Sequence, residues 1–133
     1  VSSSSLAQNC GVNAAQVRKD LAYFGKFGIR GVGYYVEDLY RDIKNILGID
    51  KVWKMAIFGI GNLGTALLSY KDFLKQNYRV IAAFETDEKK LIKGEMEGIP
   101  VYHPDQLALI NQKEPIDICL ITTPVHQAQA VAD

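Results

Sequence analysis

The 133-residue sequence is nearly half apolar, enough for one mid-sized core or two small ones, and its 15 basic and 15 acidic residues balance to zero. Its longest apolar runs, such as "ICLIT" and "VIAAF", are strand-sized, far short of the ~20 residues of a membrane helix, and no charged-then-apolar leader opens the chain. These features predict a cytoplasmic protein with no membrane partner, and Cys10 and Cys119, far apart and without Cys or His at metal-ligand spacing, read as buried, inert thiols.

The charge is uneven. Residues 1–35 hold Arg18, Lys19, Lys26 and Arg30 against Asp20 alone, a local charge of +3 that suits an anionic partner for this segment. A short helical pattern from about Leu6 to Cys10 is broken by Gly11, and a second helix is expected from about Ala14 to Phe24. Asn13 is placed to cap it, with Gln16 three residues on in capping-box position. Helix, short glycine turn and helix is the spacing of a helix-turn-helix. On the second helix Val17, Leu21 and Phe24 form one apolar stripe. Lys19 then points away from it, with Ala15, Gln16, Ala22 and Tyr23 around it and Arg18 on the flank. "GKFGIRGVGYY", with four glycines among Phe27, Ile29, Val32 and the basic Lys26 and Arg30, has the composition of a tight glycine-bent hairpin, a wing. "VEDLYRDIKNILG" reads as a third helix ended by Gly48, and residues 49–53 read as a domain junction.

From Lys54 onward strands and helices alternate: "KMAIFG", a helix over "NLGTALLSYKDFLKQN", "YRVIAAFE", "IPVYH", a short helix over "PDQLALINQ", and "IDICLITTP". That alternation predicts a parallel sheet with helices on its faces. The first strand runs into Gly59, Gly61 and Gly64, the second ends in Glu85 some twenty residues later, and together these form a dinucleotide-binding fingerprint in its proper context. Gly59 allows the tight turn, Gly61 a close approach of pyrophosphate, and Gly64 close packing of helix on strand. The helix start, with Asn62 and Leu63, supplies free N–H donors to phosphate. Glu85 is expected to accept hydrogen bonds from the adenosine ribose and to repel a 2′-phosphate, which favours NAD+ and NADH over their phosphorylated forms. "TTP", Thr122, Thr123 and Pro124, ends the fourth strand at the cleft edge and suits ligand contact.

"QVRKDLAYFGKFGIRGVGYYV", "FGIGNLGTALLSY", "AAFETDEKK" with "GIPVYH", and "LITTPVHQAQAVAD" resemble the Rex family of redox-sensing transcriptional repressors, over nearly the whole chain. The resemblance implies an α/β protein with an N-terminal winged-helix DNA-binding domain, residues 1–50, and a Rossmann NAD(H)-binding domain, residues 51–133, incomplete at its C-terminus. It implies a sensor of the NADH/NAD+ ratio that binds double-stranded operator DNA as a homodimer, represses genes of respiration and fermentation when NADH is low, and leaves its operator when NADH binds. Family members have further helix before the position of Val1 and more sheet and an exchanged helix after that of Asp133, so the chain reads as a fragment. Glu85 stands where the family usually has Asp. The resemblance also places Tyr70 near the nicotinamide; on the residues alone, helix-to-sheet packing is the other reading of that ring.

A dehydrogenase would need a proton-transfer group beside the nicotinamide, and only His103 and His126 are available, both in positions typical of solvated or capping residues. No catalytic residue, metal site or enzymatic activity is therefore expected. A dehydrogenase or CoA-ligase nucleotide domain stays as the alternative. NADH-sensitive DNA binding separates the two.

Overall fold

The computed structural model describes residues 1–133, the side chain of Leu74 excepted, as two compact units, Val1–Lys51 and Val52–Asp133. The first is helical. Helix α1, Ser3–Cys10, starts at Ser2, whose hydroxyl accepts the Ser5 N–H, and stops at Gly11. Helix α2, Ala14–Phe24, is capped by Asn13, whose side chain accepts the Gln16 N–H at 2.8 Å. The capping box does not close: the Gln16 amide turns down the helix and donates to Asp20 at 2.6 Å. Val17 is buried and Leu21 half-buried, but Phe24, the third member of the expected stripe, is 58% exposed, because the helix ends there and its ring meets Tyr23 edge-on.

The glycine hairpin is tighter than a strand pair. It consists of one antiparallel bridge in which Ile29 and Gly33 exchange backbone hydrogen bonds at 2.8 and 2.9 Å. On its return arm the Tyr34 N–H donates to the Val1 carbonyl at 2.7 Å. Helix α3, Val36–Ile46, carries Glu37 and Asp38 in its first turn and Lys44 in its last, the sense that the helix dipole favours, and buries Leu39.

The second unit is a five-stranded sheet of β1 Trp53–Phe58, β2 Tyr78–Phe84, β3 Glu95–Met96, β4 Ile99–Tyr102 and β5 Ile118–Ile121, in the order β3-β4-β2-β1-β5. All neighbours are parallel except the β3–β4 hairpin. Because β1 and β2 are covered on both faces, their inner residues read as unbroken apolar runs. The pleat sends Ile57 and Ala83 to a core with Ile60, Leu68 and Val101, and Ala56, Phe58, Ala82 and Phe84 to the opposite one.

Three expectations differ here. The first helix after the glycine turn is α4, Asn62–Ser69, and a 3₁₀ turn, Lys71–Gln76, follows it in place of one continuous helix. The Ser69 hydroxyl donates back to the Thr65 carbonyl, competing with the helix ladder, and Tyr70 is extended at ψ 106°. A helix α5, Glu88–Lys93, capped by Asp87, and the strand β3, Glu95–Met96, which pairs antiparallel with β4, fill the stretch between "AAFE" and "IPVYH". Cys10 and Cys119 are both exposed; Cys119 lies on the edge strand β5, where partial burial still pushes its thiol up. Among the described residues no helix is long and apolar enough to cross a membrane, and no cluster of potential metal ligands forms.

Candidate nucleotide and DNA sites

The carboxyl ends of β1, β2 and β5 meet at the glycine turn. Gly59 donates to the Phe84 carbonyl at 2.8 Å, Thr122 donates its N–H to the Phe58 carbonyl at 2.8 Å, and Glu85 donates to the Tyr102 carbonyl at 3.0 Å, so the ends of four parallel strands are tied side by side. Ligands of open parallel sheets bind at this edge, where connections diverge to opposite faces. The three glycines behave differently. A Cβ on Gly64 would lie 2.0 Å from the Gly59 carbonyl oxygen, and one on Gly59, whose φ is +96°, would meet the Thr123 methyl at 2.8 Å. A Cβ on Gly61 would meet nothing within 4 Å. The first two keep the turn and helix in contact, and the third leaves space beside the backbone. Gly61 caps α4 without a side-chain partner, and Asn62 and Leu63, both exposed, form the first turn, so the helix presents amide donors and its positive end outward.

Beside the turn lies a cleft of about 520 Å³ lined by Phe58, Gly59, Phe84, Glu85, Thr86, Pro104, Leu107, Thr123 and Gln127. Helix α6, Leu107–Lys113, supplies one wall and α7, Val125–Ala132, another. The Phe58 and Phe84 rings stack at 4.6 Å between centroids, giving the cleft an aromatic wall. Its polar groups are few. The Thr123 hydroxyl is the one buried side-chain oxygen or nitrogen among the described residues without a hydrogen-bond partner. A buried hydroxyl left unpaired is costly.

Glu85 is more engaged than the sequence suggests. One carboxylate oxygen accepts the Ile60 N–H at 2.7 Å, the other accepts Thr86 and Asp87 N–H at 2.8 and 3.2 Å, and Lys90 lies 3.8 Å from the first. Burial works to raise its pKa, but the amide donors and the lysine outweigh burial and hold the carboxyl below its usual value. Thr122 departs from expectation, since its hydroxyl donates to the Phe58 and Gly59 carbonyls and is spent on tying β5 to the turn. Pro124 caps α7. Tyr70 is not brought to the cleft: it follows the last residue of α4, about 12 Å along the helix from its open end, and its ring packs edge-on against Phe73 at 4.9 Å. Phe58, Phe84, Gln127 and Lys90 went unassigned in the sequence. The first two were findable as the last residues of strands feeding the turn.

His103 caps a 3₁₀ turn, Pro104–Gln106, accepting the Asp105 N–H while Gln106 returns to its own N–H, and His126 is exposed on α7. In the first unit Lys19, Gln16, Tyr23, Lys26 and Arg30 are all exposed, Tyr23 at 85%, while Arg18 donates to the Ser3 hydroxyl at 3.0 Å and spans α1 and α2. The α2 face around Lys19 thus projects without any covering element of its own unit.

Helix, turn, helix and bridged glycine hairpin, followed by a sheet of order β4-β2-β1-β5 with a glycine-opened helix, define a winged-helix unit joined to a Rossmann-like unit. The family described as "CoA binding domain" matches residues 50–133, and that described as "Putative DNA-binding protein N-terminus" matches residues 1–22. The redox-sensing transcriptional repressor Rex of Syntrophobacter fumaroxidans is 47% identical over 133 residues, covering 100% of this chain and 63% of that protein. Among solved structures, RSP in complex with beta-NAD+ and operator DNA superposes with a TM-score of 0.72 at 35% identity, and RSP in complex with beta-NADH with 0.66 at 32%. Each comparison covers 100% of this chain and 61% of the other. The chain belongs to the CoA binding domain family through residues 50–133, and over its whole length it is similar to the Rex repressors. It spans about three fifths of the length of the relatives it matches.

Proposed function

We propose that the chain carries the operator-reading and nucleotide-reading parts of a cytoplasmic, homodimeric repressor that senses the NADH/NAD+ ratio and leaves its DNA when NADH binds. Residues 1–50 bind DNA: Lys19, with Gln16 and Tyr23, faces base edges in the major groove, Arg18 meets phosphate, and Lys26 and Arg30 carry the hairpin toward the minor groove. Residues 51–133 bind NAD+ or NADH through Gly59, Gly61, Asn62, Leu63, Gly64, Glu85, Thr123 and the adjoining Thr122 and Pro124. Tyr70 belongs to this set only through the family resemblance. The observation that carries the nucleotide reading is the pairing of an open helix start at Gly61 with the adjoining aromatic-walled cleft. An anionic pyrophosphate suits the first and a flat ring system the second.

The Glu85 carboxylate sits beside the turn and disfavours a 2′-phosphate, which supports NAD(H) as the ligand. His103 is committed to capping, which supports a sensor without catalytic activity. The test is a gel-shift titration of the full-length protein on its operator with NADH, NAD+ and CoA. Release by NADH at concentrations where NAD+ and CoA leave the complex intact is the expected result. Operator binding indifferent to NADH would overturn the reading.

A further inference from the structure

We propose that Lys90 is a positioning residue of the nucleotide site, fixing the direction in which the Gly61 amide points; this rests on the nucleotide reading above. The Lys90 side chain is two-thirds covered, and its ammonium donates to the Ile60 carbonyl and lies 3.8 Å from the Glu85 carboxylate oxygen that accepts the Ile60 N–H at 2.7 Å. Ile60 is thus gripped at both ends of its backbone, its N–H by the acid after β2 and its carbonyl by the base on α5. The Ile60 carbonyl and the Gly61 N–H belong to one planar trans peptide, so they point in opposite directions. Holding the carbonyl toward Lys90 therefore turns the Gly61 N–H to the other side of the turn. Gly61 is also the residue whose added Cβ would meet nothing within 4 Å. A donor aimed before the anion arrives lowers the ordering cost of binding.

Nothing in the sequence demands this. Most lysines lie solvated, and a lysine at the end of a charged "DEKK" stretch reads as one of them. What sets Lys90 in place is the winding of the β2–α5 loop on Glu85, whose second oxygen accepts the Thr86 and Asp87 amides, and the Asp87 cap that starts α5. The lysine acts through the backbone of Ile60 and touches the ligand at no point in this account.

Lys90→Met keeps the stem and removes the ammonium; Lys90→Arg restores a donor; Lys90→Gln stands in should the Met variant fail to fold. Two readouts on the full-length protein decide. The first is the amide resonance of Gly61 without nucleotide, and the second is calorimetric affinity for ADP-ribose at low and high salt. Loss of the ammonium is expected to shift the Gly61 resonance well beyond those of α6 and to weaken ADP-ribose about fivefold at both salt concentrations, with Lys90→Arg within about twofold of the parent. An unmoved Gly61 resonance overturns the proposal. So does an affinity loss that disappears at high salt, which would mean a direct charge contact with phosphate. A parent chain that fails to bind ADP-ribose sinks the nucleotide reading instead, and the Gly61 resonance still decides whether Lys90 orients the turn.

Discussion

Adding one methyl group at Gly64 and one at Gly61 should have opposite consequences, although both glycines belong to one motif. A Cβ on Gly64 would sit 2.0 Å from the Gly59 carbonyl oxygen, over an ångström inside ordinary contact. That oxygen cannot retreat cheaply, because it accepts the Thr122 hydroxyl at 2.6 Å while the Gly59 N–H is bound to the Phe84 carbonyl at 2.8 Å. Overpacking at such a site belongs at the upper end of its usual range, about 3 kcal/mol. Alanine gains back about 1 kcal/mol over glycine within a helix. The net loss is about 2 kcal/mol, which lowers the melting temperature of a unit this size by about 10 °C. Gly61, at φ −85° and with open space around it, should accept alanine with no loss of stability. Its penalty should appear in NADH binding, where the methyl takes up room that the pyrophosphate needs. Thermal unfolding by circular dichroism, paired with calorimetry against NADH on the full-length protein, checks both. Gly64→Ala melting with the parent, or Gly61→Ala losing stability while keeping its affinity, would refute the division of labour.

Lys19→Ala should reduce binding to an operator selected from a random duplex pool by about 1 to 3 kcal/mol, with a smaller loss on unrelated DNA, whereas Arg18→Ala should weaken both alike and flatten the salt dependence. Equal losses for Lys19→Ala on the two DNAs would remove it from base reading. For Glu85 the folded value lies below the ordinary one, so its stabilisation is complete above about pH 4.3, the unfolded value, and fades as pH falls through the folded value. Urea midpoints of parent and Glu85→Gln should therefore differ at pH 7 and converge toward pH 2; a gap that stays constant across that range would contradict the linkage. Asn13→Ala removes the hydroxyl-free cap that accepts the Gln16 N–H and should cost about 1 kcal/mol, read as a lower midpoint for the helical unit.

Much of this fold follows from local signals that tertiary structure leaves alone. Asn13 caps α2 and Gly11 ends α1 because both acts concern only neighbouring backbone. β1 and β2 are visible because burial on both faces demands continuous apolar runs. The strand β3 escaped because it is two residues long, too short for any period, although Glu97 and Gly98, at φ 53° and 77°, form the two-residue turn that joins it to β4. The helix expected over "NLGTALLSYKDFLKQN" is too long because its helical period continues past Ser69, where α4 stops. The break depends on where the Ser69 hydroxyl points and leaves no trace in the pattern of apolar residues.

The site was legible in residue type and place, and less so in what its groups are already doing. Glu85 ends β2 beside the glycine turn, but a carboxylate has roughly four acceptor positions, and here three are taken by the amides of Ile60, Thr86 and Asp87 while Lys90 faces the remaining side. Ribose hydroxyls cannot simply add to that arrangement; they must share or displace an internal bond. The discrimination against a 2′-phosphate survives regardless, since it depends on charge at short range more than on free lone pairs, and the depressed pKa keeps that charge present throughout the neutral range. Thr122 and Thr123 divide in the same manner. Adjacent in sequence and alike in chemistry, they part because Thr122 lies within reach of the Phe58 and Gly59 carbonyls, while the Thr123 hydroxyl is buried with no acceptor or donor beside it. The first hydroxyl holds the turn in place, and the second stays buried behind the cleft wall without a partner.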